Sequence, residues 1–445
     1  MPGQDLYARP VAKAAQMPED TAGAASLARP GGNRRVLLVA FFFPPSQGSS
    51  GLQRTLSFAR DLRDHGWQPL VLTAHHRAYP RTDGKQLADI PADVPVARAF
   101  ALDTARHFAV RGIHFRSLAV PDRWWPWYLG GLASGWRLIR RYRPDVIWST
   151  APIPTAHLIA QTLARLSGRP WVADIRDLMT EPDWPQNPVA WRISRWIERQ
   201  ALTRSERTVV VSPGQRGEYL RRFPALPQGR IAVIPNGFDE AAFRKAEASA
   251  PDHELPDGRL HLVHSGLLYP RDRSPEPFLE ALAALRAERP ALTDGVAVTL
   301  RASGSEARYR QMIGELDLAD VVSLAPALSY HDALAEMLAA DGLLLFQGRN
   351  CGTAIPAKLY EYIRARRPVL ALTEPDGATG AALREVGYPH LAPLESAAAI
   401  GPVLAGFLEA VRQGEAFVPP AEVTEQFSRQ RAGEQLAAIL DRVAP

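Results

Sequence analysis

The sequence predicts an α/β protein made of two doubly wound parallel sheets, one after the other. Three observations lead there. Short β-rich runs alternate with helical patterns along most of the chain, the signature of parallel strands joined by crossover helices. The strand-like runs are continuously apolar, as strands covered on both faces must be. A chain of 445 residues also exceeds what one core organises, so two domains are expected.

Residues 1–33 are rich in Ala, Gly and Pro and lack a dense apolar segment, which predicts a flexible tail without a secretory leader. The first domain is expected over 34–240. Its strands are "RRVLLVAFF", "PLVLTA", "VPVARAFA", "DVIWST", "PWVADI" and "RTVVVS". Helical patterns fall between several of them: "LQRTLSFARDLRDHG", "WRLIRRYR", "TAHLIAQTLARLSG" and "AWRISRWIERQALTRS". Residues 241–258, ending in the polar "RKAEASAPDHELPDG", read as a linker. The second domain, 259–418, repeats the alternation with "LHLVHSG", "VAVTLRASG", "VVSLAP", "GLLLF" and "PVLALTE". The helices "PFLEALAALRAER", "HDALAEMLAA" and "AALREVG" separate them. Residues 419–445 read as a closing helix. Ligands of such sheets gather at the carboxyl ends of the strands, so a cleft between the domains is the expected site.

Charge divides unevenly. Residues 34–212 hold 25 Lys/Arg against 14 Asp/Glu, while 213–445 hold 24 against 30. The basic first half predicts an anionic partner: nucleic acid, a membrane surface or a lipid phosphate. No nucleic-acid recognition motif supports the first of these. The stretch "PDRWWPWYLGGLASGWRLIRRYRPD" offers the second. Leu129, Leu132, Trp136 and Ile139 share one helical face, with Arg137, Arg140 and Arg141 elsewhere around the helix. Residues 121–143 therefore read either as a helix packed on the sheet or as a surface that meets anionic lipid. No apolar run approaches the roughly 18–20 residues of a membrane span. The single cysteine, Cys351, excludes an internal disulfide and a multi-cysteine metal site, and reads as a small buried residue. There is no Asp-x-Asp triplet, HExxH or Cys/His cluster, so no dedicated metal site is expected. A cytoplasmic protein, peripheral at most to the inner face of a membrane, fits these features.

Several motifs could carry chemistry. Gly48, Ser49, Ser50 and Gly51 precede a helix, where backbone N–H groups can face an anion. "WVADIRDLMTEP" places Asp174, Arg176 and Asp177 just past a buried strand. "AVIPNGFD" ends a strand on Asn236 and Gly237, a turn pair that suits a hinge, a ligand turn or both. In "LVHSGLLYPRDRSPEP", Gly266 closes a strand and Arg271 and Arg273 stand before a helix. An arginine fork donates in parallel to a diphosphate and stays charged. His264 and His331 read as ordinary core or surface histidines. In "GRNCGTAIPAKLYEYI", Pro356 suits a first helical turn, so Cys351, Gly352 and Thr353 would present N–H groups at its start. Lys358 and Glu361 are three apart and share a helical face. A carboxylate can accept both hydroxyls of a ribose diol, and a lysine offsets phosphate charge.

Taken in order, "FPP…GSSGLQR", "PWVADIRD", "VIPNGFD", "HSGLLYPRDR" and "PAKLYEY…RPVLAL" resemble the retaining glycosyltransferases of family four (group 1), in the branch of bacterial polysaccharide and cell-surface sugar transferases. The resemblance spans roughly residues 34–440. It implies the GT-B fold, with Rossmann-like domains facing a cleft and a C-terminal helix crossing back to the first. It implies a nucleoside-diphosphate sugar donor on the C-terminal domain and a saccharide or lipid-linked acceptor on the N-terminal one. No metal or other cofactor is implied. Glu361 matches the second glutamate of the family's Glu-x7-Glu pattern, which holds the donor ribose, and Thr353 stands where the first would be. Lys358 lies in the "KLYEY" form of that motif. Arg273, with Arg271 beside it, matches the basic residue on the donor diphosphate, and Gly51 the glycine loop that approaches the donor. The place of a frequent histidine falls on Arg176, leaving Asp177 as its acidic neighbour.

The implied reaction moves a sugar to a hydroxyl with retention. Arg271, Arg273 and Lys358 would stabilise the leaving diphosphate, assisted by N–H groups near Gly352 and Thr353. Asp174 or Asp177 would orient the acceptor or steady an oxocarbenium-like centre. Asn236 and Gly266 would border the donor. Two other readings share the fold: a sugar-nucleotide epimerase, and a catalytically silent partner subunit.

Overall fold

The structure, a computed structural model, describes residues 34–47, 50–108, 119–182, 184–249 and 258–445. The expected tail, and Gly48 and Ser49 of the first glycine turn, lie outside the described residues. The chain divides into two compact units. One runs to Pro235 and takes back Arg429–Pro445, and the other is Asn236–Ser428. The break falls inside "IPNG", at the turn pair that suited a hinge.

In chain order the first unit contains β1 (Arg34–Val39), α1 (Ser50–Asp61), β2 (Trp67–Ala74), β3 (Val96–Ala99), α2 (Thr104–His107), α3 (Trp127–Tyr142), β4 (Val146–Thr150) and α4 (Pro154–Ser167). It continues with β5 (Trp171–Asp174), α5 (Pro188–Arg204), β6 (Arg207–Val210), α6 (Pro213–Arg222) and β7 (Ile231–Val233). Its seven strands pair in parallel in the order β3-β2-β1-β4-β5-β6-β7. Strand β1 shows why the run is apolar throughout. Leu37 and Val39 enter one core with α3, α4 and α5, while Val36 and Leu38 enter the other with α1. Successive side chains of a strand point to opposite faces, and here both faces are covered.

The tryptophan-rich stretch differs from expectation. The packed face of α3 is Trp127, Gly131, Gly135, Leu138, Ile139 and Tyr142, whereas Leu129 and Trp136 are exposed. The reason is close approach. A Cβ on Gly131 or Gly135 would fall 2.5 Å from Ile159 or Leu163 of α4, so the glycine side is the one that packs. Trp124 and Trp127 are core residues, with ring centroids 4.9 and 5.4 Å from Phe41. Arg137, Arg140 and Arg141 are exposed beside Trp136.

The second unit opens with α7 (Glu240–Ser249), inside the stretch expected as a linker. Its charges misled: Phe243 and Ala246 are buried, and Glu240 and Glu247 flank Phe243 on the same face. Arg364 pairs with Glu240 at 2.6 Å and Glu247 at 2.9 Å and lies over the Phe243 ring. Then follow β8 (Leu260–Ser265), α8 (Glu276–Glu288), α9 (Pro290–Thr293), β9 (Val296–Arg301), α10 (Glu306–Glu315), β10 (Val322–Ala325) and α11 (Tyr330–Ala339). The unit closes with β11 (Gly342–Gln347), α12 (Ala357–Ala365), β12 (Val369–Thr373), α13 (Ala378–Val386), β13 (Leu391–Ala392), α14 (Ala397–Gln413) and α15 (Ala421–Glu425). The six strands are parallel in the order β10-β9-β8-β11-β12-β13.

The closing segment is two helices, not one. Helix α15 stays in the second unit, and α16 (Arg429–Val443) belongs to the first. Leu436, Ala437 and Leu440 of α16 join the core that holds α1, and Asp441 accepts from Trp67 Nε1 at 3.1 Å.

Candidate active site

Each sheet reverses its strand order once, between β1 and β4 and between β8 and β11. Such a switch point leaves a crevice at the strands' carboxyl ends, where ligands of open α/β sheets bind. In the second unit His264, Gly266, Arg273 and Lys358 come together there.

His264, near the end of β8, is fully buried, and its Nδ1 lies 2.8 Å from the Leu344 carbonyl of β11. A carbonyl only accepts, so Nδ1 carries the proton and Nε2 is left as an acceptor. Lys358 Nζ, from the first turn of α12, lies 3.1 Å from that Nε2. The lysine is half-buried as a residue, but its ammonium sits deep among protein atoms. Loss of water and the positive charge of Arg273 lower its pKa to about 7, against an opposite pull from Glu361. Burial and the same two cations hold His264 well below its ordinary value.

Gly266 follows β8 at φ +119°, and a Cβ there would lie 2.9 Å from Lys358 Nζ. Gly266→Ala is therefore expected to strain the backbone and displace the ammonium together. Anion binding should weaken at least tenfold, with a modest loss of thermal stability. Titration with inorganic pyrophosphate checks it, and unchanged affinity would show that the glycine serves only the turn.

Arg273 ends the turn that follows. Its backbone N–H donates to Tyr269 O at 2.8 Å, its guanidinium lies over the Tyr269 ring, and its Nε donates to Gln347 Oε1 at 3.2 Å. Gln347 is the buried last residue of β11, so it aims the arginine across the switch point. Gly348 N–H donates to Asp272 O at 2.7 Å and ties the two loops together. Arg271 is exposed. Glu361, one turn beyond Lys358, accepts from Tyr330 Oη at 3.0 Å.

Gly352 and Thr353 occupy a different place from the one expected. A 3₁₀ turn, Arg349–Cys351, precedes them, and α12 starts only at Ala357 behind Pro356. The Cys351 and Gly352 N–H groups donate to Gly348 O and Arg349 O, so they are committed to the turn and not to a helix N-terminus. Cys351 is half-exposed instead of buried.

In the first unit the switch point forms only a shallow depression, lined by Phe41, Phe42, Gly51, Thr150, Ala151, Pro152 and Ile153. Gly51 lies in the first turn of α1. Asp174 does not open onto solvent. Its carboxylate accepts from Arg54 Nε at 2.8 Å and Nη2 at 3.3 Å, and from Thr150 Oγ1 at 3.3 Å. Arg54 also donates to the carbonyls of Ile234 and Pro235, where the chain leaves this unit. Asp174 is thus a structural partner, and Asp177 is the exposed carboxylate of the motif. Arg176 is buried, which lowers its pKa, against the pull of Asp177 and Asp174. Glu198 of α5 anchors the same loop by accepting from Met179 N–H, Thr180 Oγ1, Arg195 and Tyr219 Oη. Asn236 is half-buried as the first residue of the second unit.

Arg54, Glu198, Gln347 and Tyr330 were not anticipated. They act through partners remote in sequence, and local spacing marks only Arg195 beside Glu198. His264 was seen but read as an ordinary histidine. Its position two residues before Gly266 was the available signal.

Residues 51–237 match the glycosyl transferase 4-like domain. The chain is 27% identical over 129 residues to alpha-maltose-1-phosphate synthase of Mycolicibacterium smegmatis, covering 29% of this chain and 27% of that protein. It is 25% identical over 287 residues to D-inositol 3-phosphate glycosyltransferase of Salinispora tropica, covering 59% of this chain and 52% of that protein. The matches thus span about a quarter and about half of these relatives. Among solved structures, Anabaena HepE in complex with UDP-glucose superposes with a TM-score of 0.64 at 16% identity, over 92% of this chain and 99% of that one. That likeness concerns the fold, two parallel α/β units of the GT-B type. Residues 51–237 thus carry a glycosyl transferase 4-like domain, and the two units have the GT-B fold of glycosyltransferases.

Proposed function

We propose that the protein transfers a sugar from a nucleoside-diphosphate donor to a hydroxyl acceptor, with retention and without a metal ion, in the synthesis of a cell-surface polysaccharide or glycolipid. One observation carries the reading: Lys358, 3.1 Å from His264 of β8, and Arg273, held by Gln347 of β11, bring two positive charges to the switch point of the second sheet. Like charges so placed are relieved by an anion, and a diphosphate supplies one. The nucleotide sugar bound to HepE and the sugar-transferring relatives point the same way.

In this reading Arg273 and Lys358 donate to the diphosphate oxygens. Glu361 exchanges its Tyr330 partner for the ribose hydroxyls. The bond from anomeric carbon to phosphate oxygen breaks as the acceptor oxygen bonds to the same face of that carbon. The acceptor's proton passes to the leaving phosphate. Charge that grows on that phosphate is stabilised in place, at about 3 kcal/mol for each aimed donor. Asp177 is the remaining candidate to orient the acceptor.

Arg273→Ala is expected to lower kcat 10²–10³-fold, whereas Glu361→Ala raises the donor KM about tenfold with a smaller effect on kcat. Steady-state kinetics on a donor found by thermal shift checks both. Product NMR reads retention, and turnover in excess EDTA reads metal independence. Sugar-nucleotide turnover without acceptor would favour the epimerase, and binding without turnover a silent subunit.

We also propose that this protein works at the cytoplasmic face of a membrane. Among the described residues no helix is long and apolar enough to cross one. Leu129 and Trp136 are instead exposed beside Arg137 and Arg140 on α3, an apolar and basic pairing that suits anionic lipid. Flotation with phosphatidylglycerol vesicles should recover the wild type. Trp136→Ser/Arg137→Ser/Arg140→Ser should stay in the soluble fraction, and equal recovery would remove the membrane from this account.

A further inference from the structure

We infer that His264 is a positioning residue for Lys358: as a neutral imidazole protonated on Nδ1, it presents Nε2 as the acceptor that aims the lysine ammonium at the anion site. This rests on the donor-binding reading above, although the histidine itself touches no substrate in it. The tautomer follows from geometry. Leu344 O, 2.8 Å from Nδ1, needs a donor, so the proton sits there and the Nε2 lone pair lies toward the lysine. The ring has little freedom to turn. It is fully buried and meets Phe346 edge-on at a centroid distance of 4.9 Å.

The ammonium is then bracketed. His264 Nε2 takes one N–H at 3.1 Å, and Gly266 leaves the room that a side chain would fill. Two N–H groups remain for oxygens of an anion. The charged and titratable groups facing the pair are Arg273 from the loop after β8, and Glu361 and Tyr362 from α12. Burial first, then Lys358 and Arg273, oppose a third positive charge on the ring, against a pull from the Leu344 and Gly266 backbone, so His264 stays an acceptor. A protonated His264 would offer N–H to N–H and push the lysine off its line. The arrangement thus explains a buried histidine beside a lysine, a pairing that contributes neither an ion pair nor apolar packing.

The first test needs no donor. In ¹⁵N spectra of the wild type, the His264 ring should show a protonated Nδ1 and a bare Nε2 from pH 6 to 8. A proton on Nε2, or a cationic ring at pH 7, would overturn the inference whatever the enzyme does. The second test uses UDP as the probe. His264→Gln retains an acceptor oxygen near the place of Nε2 and should bind UDP within threefold of wild type, with a similar pH profile. His264→Leu, checked by circular dichroism for folding, should lose at least tenfold in affinity and show an altered alkaline limb. Equal affinity and profile in His264→Leu would overturn the inference. If wild-type protein fails to bind UDP, the donor reading is what falls, and the ring tautomer still decides the role of His264.

Discussion

Lys358→Met should abolish most donor binding and at the same time make the protein more stable. Both effects follow from where the ammonium sits. Its surroundings are the His264 ring, the Gly266 backbone and the Arg273 guanidinium, with Glu361 as the nearby negative charge. Burial removes water from the charge and Arg273 repels it, so the folded-state pKa falls from 10.5 to about 7. The sign of the linkage is therefore fixed. Between about pH 7 and 10.5 the unfolded chain binds the proton more tightly than the native one, so this group's destabilisation shrinks as pH rises through that window. It is complete below pH 7. Methionine has similar length, fills irregular space and carries no charge, so it removes the penalty without leaving a cavity. A gain on the order of 1–3 kcal/mol is expected at pH 6, falling toward zero near pH 10. Binding moves in the opposite direction. A diphosphate needs the charged lysine, so UDP affinity of the wild type should weaken above about pH 7, by up to tenfold per unit until the bound-state pKa is reached. In Lys358→Met that limb should vanish and affinity should drop roughly 30-fold or more, the loss of one charge-assisted contact. Melting curves across pH, paired with UDP calorimetry, read both halves. A variant that binds UDP as tightly as wild type would remove Lys358 from the site.

The trade between stability and function also explains what could be read in advance. The strands and their continuous apolar character were legible because periodicity and burial on both faces are local properties of short segments such as "RRVLLV" and "GLLLFQ". Lys358 and Glu361 were legible because three residues on a helix fix a shared face. Arg273 was legible because a basic residue just before a helix follows a strand-ending glycine. What stayed hidden depends on partners far apart in sequence. Helix α7 passed for a linker because its charges are paired with Arg364, 124 and 117 residues away. The buried face of α3 was misplaced because glycines carry no hydrophobic signal, and only the neighbouring Ile159 and Leu163 reveal that they pack. The N–H groups before α12 were miscounted because a short 3₁₀ turn intervenes, and three residues of turn leave little mark on a sequence.

Asp174 is the sharpest case, and it yields the second large effect. A charged residue at the end of a buried strand invites a catalytic role, yet this carboxylate is fully buried and held by Arg54 in a two-pronged contact. Arg54 spends its other N–H groups on the carbonyls of Ile234 and Pro235 and lies against the Phe58 ring. The pair therefore joins three separate segments, α1, the end of β5 and the residues after β7. Removing one partner leaves the other charge buried without compensation, which typically costs about 3–5 kcal/mol. Asp174→Asn and Arg54→Met should each lower stability by that order, seen as a shifted urea midpoint with an unchanged slope. The double variant should be less destabilised than the two singles added together, because neither member of the pair is left buried without the other. The activity of each variant, measured at a temperature where it remains folded, should fall far less than that of Arg273→Ala, since the carboxylate is buried and committed to Arg54. A normal urea midpoint combined with a collapse of kcat in Asp174→Asn would reverse the assignment and return Asp174 to the chemistry. The expected pattern leaves Asp177, two residues past the buried Ile175, as the exposed acidic group at that strand end.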